Sequence, residues 1–159
     1  MKRLLLLFSL WFFFQPWAST QEIGLRFGDI VDNDFAIDGV IDLYRGRIHA
    51  DLSFGRGHVG LEVLYDFLYT DLCAPRIYFY AGAGGFMSFG DPFRVGASGE
   101  AGIDYRFQKL PLVVGFDWRP ALRFVDDLAF YTDRFGINVR WSFRRRSAPS
   151  SSDYTLPSY

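Results

Sequence analysis

His49, Asp51 and Ser53 alternate along the segment Arg47 to Gly55 (RIHADLSFG). They are the residue types of a hydrolytic triad, in which an imidazole takes a hydroxyl proton and a carboxylate holds the imidazole in place. Glu62 with Asp66, and Glu100 with Asp104, offer carboxylate pairs of the kind used for general acid–base work. Gly82, Gly84 and Gly85 resemble a phosphate loop only in composition, because no Lys-Ser/Thr follows. Two isolated histidines and the single Cys73 supply no metal-ligand spacing. Asp126 and Asp127, adjacent in a connection, could hold a divalent cation, or could be solvated.

Spacing decides against the triad. Same-face neighbours on a strand stand about 6.6 Å apart, too far for the direct hydrogen bonds that a triad needs. The carboxylates share their face with arginines, so ion pairing is the default for them. The element that carries these residues matters more than any one of them. From Phe93 to Phe107 (FRVGASGEAGIDYRF) the odd positions carry no charge, while Arg94, Glu100, Asp104 and Arg106 fall on even positions. Alternate side chains of a strand point to opposite faces. At about 3.3 Å per residue this stretch reaches about 50 Å. Tilted by about 45°, it crosses an apolar band about 25 Å tall.

The same two-faced pattern recurs in Glu22–Gly28, Phe35–Tyr44, Arg47–Gly55, Val59–Leu68, Ile77–Phe89, Pro111–Phe124 and Asp133–Phe143. Eight such strands with short links predict an all-β, eight-stranded antiparallel up-and-down β-barrel, a closure that leaves no open edge. Pro120 marks a bulge or an end of ladder pairing. Tyr69–Arg76 is the longest internal break, and Val125–Tyr131 the last loop.

Before the strands, Lys2 and Arg3 precede an apolar run from Leu4 to Phe14 and a small-residue exit at Ala18–Thr20. Residues 1–20 read as a secretory signal peptide. The apolar run is too short for a membrane helix. Residues 21–143 form the barrel domain, and 144–159 (RRRSAPSSSDYTLPSY) a disordered Ser/Pro-rich tail. Net charge is −1, so no global field points to nucleic acid.

Which face is inside separates two classes. A soluble barrel buries its apolar face, whereas a membrane barrel reverses this. Here the apolar face is aromatic near the strand ends. The polar face mixes Asp38, Asp42, Asp51, Glu62, Asp66, Glu100, Asp104 and Asp117 with Arg26, Arg47, Arg94, Arg106, Arg119 and Arg140, and with His49. Near-equal numbers of both signs allow buried pairing. Only Lys2 and Lys109 are lysines, and neither lies in a strand. The expectation is a transmembrane barrel with a lumen charge network of these fifteen residues.

The alternating strands, the leader and the aromatic-ended INVRWSF (137–143) resemble the small outer-membrane β-barrel superfamily, whose familiar members are OmpX, OmpW and the OmpA membrane domain. The chain is most similar to uncharacterised short barrels of Bacteroidota. The resemblance implies location in the cell outer membrane, with Trp141 and Phe143 acting as an assembly signal. The implied partners are outer-membrane lipid, lipopolysaccharide and, during biogenesis, the barrel-assembly machinery. It implies a tail on the periplasmic side. The expected protein is a monomer with no cofactor, no nucleic-acid partner and no catalytic residue. Its expected role in the envelope is structural or interactive. The alternatives are a narrow channel for ions or small solutes and a lipid A-modifying enzyme.

Overall fold

The computed structural model describes residues 21–30, 33–55, 57–72 and 74–143. The leader read at 1–20, Cys73 and the tail at 144–159 lie outside them. Ten strands follow one another: β1 Gln21–Ile30, β2 Asn33–Asp42, β3 Arg47–Gly55, β4 His58–Asp71, β5 Ile77–Phe89, β6 Arg94–Arg106, β7 Leu112–Trp118, β8 Ala121–Arg123, β9 Ala129–Tyr131 and β10 Phe135–Ser142. Sequential neighbours from β1 to β7 pair antiparallel, and β10 pairs with both β7 and β1. The sheet therefore closes on itself. β7 and β8 lie end to end along β6, and β9 and β10 lie end to end along β8 and β7. Ten strands thus make eight staves of a closed antiparallel barrel.

The stave from Pro111 to Phe124 is interrupted at Arg119 and Pro120, in line with the end of ladder pairing expected at Pro120, because proline brings no N–H to the ladder. Neighbouring backbone bridges the gap: Arg119 N donates to Arg134 O at 2.8 Å, and Gly99 N to Pro120 O at 2.9 Å. The loop expected over Val125–Tyr131 is shorter, since Ala129–Tyr131 forms β9 against β8. At the other end of the molecule β4 runs on to Asp71, and β2 stops at Asp42. There Leu43 N donates to Gly46 O at 3.0 Å, and Gly46 takes φ +80°, which favours glycine.

The alternation sorts the side chains. Outward-facing residues include Ile23, Leu25, Phe27, Leu52, Val63, Ile103, Phe116, Ile137, Val139 and Trp141, all of which are exposed. Inward-facing residues are largely polar or charged, with Arg26, Arg119 and Arg140 at 0% exposure, and a few apolar ones, Val40, Leu64, Tyr80, Phe86 and Val113, are buried beside them. A bulge between Asp66 and Leu68 adds Phe67 to β4, so Phe67 and Leu68 both face out. The barrel is apolar outside and ionic inside. We call the end where β1 begins and β10 stops the terminal end, and the opposite one the far end.

Candidate functional site

Nine carboxylates point into the barrel: Glu22, Asp38, Asp42, Asp51, Glu62, Asp66, Glu100, Asp104 and Asp117, all buried. An unpaired buried charge costs several kcal/mol, so the arrangement is governed by who pairs with whom. Six inward arginines answer them: Arg26, Arg47, Arg119, Arg134 and Arg140, with Arg106 slightly exposed at the terminal end.

Arg119 stands at the centre. It enters from the junction of β7 and β8, where Pro120 breaks the strand. Its guanidinium meets Asp51 on β3, Glu62 on β4 at 3.1 Å and Glu100 on β6 at 2.7 Å. Its Nε lies 3.5 Å from Asp117. One side chain thus crosses the interior to strands on the far wall. Arg26 on β1 clamps Asp117 with Nε at 3.0 Å and Nη2 at 2.5 Å, a two-pronged contact that suits the planar guanidinium. Asn138 adds a bond to the same carboxylate at 3.0 Å.

Toward the terminal end, Arg140 on β10 reaches Asp104 at 2.5 Å, Glu22 at 3.1 Å and Asp38 at 3.4 Å. Arg47 on β3 joins Asp66 at 2.8 Å and Asp104 at 3.1 Å. It also lies over the rings of Tyr69 at 4.2 Å and Tyr80 at 4.7 Å, where the ring faces attract a cation. Arg106 pairs with Glu22 at 2.5 Å. Tyr69 and Tyr78 stack beneath it with centroids 5.1 Å apart.

At the far end, Arg134 reaches Glu62 at 3.1 Å and Ser98 Oγ at 3.4 Å, while Ser98 Oγ donates to Glu62 at 2.5 Å. Asp126 and Asp127, considered above as a cation site, are instead faced by arginines. Arg94 lies 3.7 Å from Asp126, and Arg123 pairs with Asp127. Arg94 is accordingly half-buried at the rim rather than in the central network.

The triad residue types do not meet. His49 is bracketed by Asp38 at 2.7 Å and Glu100 at 3.0 Å, Asp51 belongs to Arg119, and Ser53 bonds to Asn33 at 3.0 Å. Trp141 faces outward, paired in register with Ile23 and Leu112, and Phe143 follows the end of β10, also exposed. The glycine-rich stretch of β5 makes room for neighbouring groups of β4. Gly82 accommodates the Asp66 carboxylate and Gly84 the Val63 carbonyl, whereas the glycine that admits an arginine is Gly136, against Arg26.

Glu22, Arg134 and Arg123 belong to these networks and were not among the fifteen expected members. Glu22 and Arg134 lie at strand ends, yet each sits on the charged face of its own alternation, and that signal could have found them. Arg123 lies beyond the break at Pro120. Tyr80, fully buried, shares the inward parity of Gly82, Gly84 and Ser88 on β5, although its aromatic type alone suggests the outer face. Spacing along the chain also hides a possible ligand set: His49, Asp66 and Glu100 come from three different strands and converge only in the closed barrel.

No family model, curated protein or solved structure matches the chain.

Proposed function

We propose that this chain is an integral outer-membrane β-barrel with a structural or interaction role in the cell envelope. The single observation that carries the reading is the inversion of the barrel: aliphatic and aromatic side chains exposed around its outside, ion pairs buried within. In water such a continuous apolar surface would drive association. In hydrocarbon it is what a closed barrel needs, because closure satisfies the backbone and alternation directs charge away from lipid. β5 and β6, at 13 residues each, are long enough to cross the apolar core at an ordinary tilt.

The kinship proposed is with the OmpX, OmpW and OmpA-membrane-domain class. Lipid and lipopolysaccharide are the proposed surroundings, the barrel-assembly machinery is the proposed partner in biogenesis, and the barrel works as a monomer. An eight-stranded barrel holds little beyond its own side chains. The cross-lumen pairs of Arg119 and Arg140 support a plugged interior rather than a conducting one. The groups capable of acid–base work are held in ion pairs, which supports a role without catalysis.

The test is behaviour during purification. The chain should need detergent, show a β-type circular dichroism spectrum and migrate differently on gels before and after boiling. In planar bilayers it should carry no steady current. A chain that stays soluble and monodisperse without detergent would overturn the proposal.

A further inference from the structure

The interior ion pairs leave carboxylate oxygens over. Asp66 on β4 and Glu100 on β6 both pair in register with Gly82 on β5. The two side chains therefore flank a position that has none, and a Cβ there would overlap Asp66 Oδ1. Each carboxylate gives one oxygen to a guanidinium: Asp66 Oδ2 lies 2.8 Å from Arg47, and Glu100 Oε1 lies 2.7 Å from Arg119. The second oxygens, Asp66 Oδ1 and Glu100 Oε2, are buried and receive no N–H or hydroxyl donor among the described residues, while the two carboxyl groups lie within hydrogen-bonding reach of each other. His49 on β3 completes the cluster, with Nδ1 3.0 Å from Glu100 Oε1. One ligand atom from each of His49, Asp66 and Glu100 lies within 4.8 Å of the other two.

We propose that this triangle binds one divalent first-row metal ion through His49 Nδ1, Asp66 Oδ1 and Glu100. Buried carboxylate oxygens without a donor are costly and rare, and a cation between them removes the cost. The imidazole is already set for ligation. Its Nε2 lies 2.7 Å from Asp38 Oδ1, and a metal-bound histidine characteristically gives its other N–H to a carboxylate. Two carboxylates and one imidazole suit manganese, iron, cobalt or zinc better than calcium, which prefers oxygen alone. The charge count agrees: nine inward carboxylates face six inward arginines among the described residues, and Arg94 and Arg123 are taken by Asp126 and Asp127. Arg119 lies close, 3.2 Å from His49 Nε2, and would repel the ion. Its charge is shared among Asp51, Glu62, Glu100 and Asp117, so the cluster stays net negative.

The experiment uses the untagged full chain, folded in detergent, stripped with chelator and dialysed against Co²⁺. The expected result is one cobalt per folded chain after desalting, with visible absorption from nitrogen and oxygen ligation. D66N and G82A should lose it, because one removes a ligand and the other fills the gap between ligands. D38N, which does not touch the ion, should bind about 10- to 100-fold more weakly. E62Q, equally buried but outside the triangle, should retain the ion. Gel migration before and after boiling shows which variants are folded, and either D66N or G82A is sufficient. A folded wild-type chain that retains no cobalt overturns the site. So does retention unchanged in a folded D66N or G82A variant. Either result leaves the outer-membrane reading intact, since that rests on the outer face.

Discussion

Replacing Arg119 with methionine tests the interior most directly. Arg119 is fully buried and faces four carboxylates. Three of them keep another cationic or donor partner after the change: Glu62 has Arg134, Asp117 has Arg26, and Glu100 has His49. Asp51 does not, because Arg119 is its ion-pair partner among the described residues. The variant therefore strands one buried carboxylate, and breaking a buried pair in this way costs about 3–5 kcal/mol. Removing both partners of a buried pair is often neutral by comparison. The double variant Asp51→Asn with Arg119→Met should thus recover most of the loss. Equilibrium urea unfolding in lipid vesicles, followed by tryptophan fluorescence, measures all four corners of the cycle; Trp118 sits beside the mutated position. If Arg119→Met cost less than about 1 kcal/mol, or if the double variant were no more stable than the single one, the claim that Asp51 depends on Arg119 would fail.

Facing supplies a second prediction. Ile103→Arg places a charge on the outer surface and, on the outer-membrane reading, should cost up to about 2–4 kcal/mol in a bilayer, the more the nearer it lies to the midplane. Ser98→Ala removes an inward hydrogen bond to Glu62 and should cost about 1 kcal/mol by the same unfolding assay. Glycine positions separate by what surrounds them. A Cβ at Gly24 would overlap the Val139 carbonyl, which belongs to backbone and cannot turn aside, so Gly24→Ala should lose about 1–3 kcal/mol. At Gly39 the nearest atoms stand 3.8 Å away, and Gly39→Ala should fold to wild-type yield. Single-channel recording offers a fourth check. If Arg119 and Arg140 plug the interior, removing both side chains should admit a current that the wild type lacks.

The period-two pattern made the staves legible because a barrel with unlike faces imposes it on every strand. His49, Asp51 and Glu62 could be placed on one face from parity alone. Parity says nothing about which strands stand opposite one another across a closed barrel. The contacts of Arg140 with Asp38 and of Arg119 with Asp51 span 102 and 68 residues, and no local spacing encodes them. Parity also fails where the ladder is irregular. Ala129–Tyr131 is short and lies beside turn residues, so its composition read as loop until pairing with β8 defined it. Phe67 shifts the phase of β4, and Tyr69 consequently turns inward to stack on Tyr78.

The preference for arginine over lysine inside the barrel follows from the same geometry. A closed sheet fixes each inward Cβ on a lattice set by register, so carboxylates on different staves arrive at unequal distances from any one cation. A guanidinium has five donors spread over a rigid plane and can serve several carboxylates at once, whereas an ammonium is a compact point charge. Arg119 uses Nε, Nη1 and Nη2 toward four carboxylates on β3, β4, β6 and β7. Arg119→Lys preserves the charge and loses that reach. It should therefore recover less than half of the stability that Arg119→Met gives up, with Asp51 left unsatisfied. Near-complete recovery by lysine in the same urea titration would mean that net charge alone, rather than the guanidinium plane, holds the staves together.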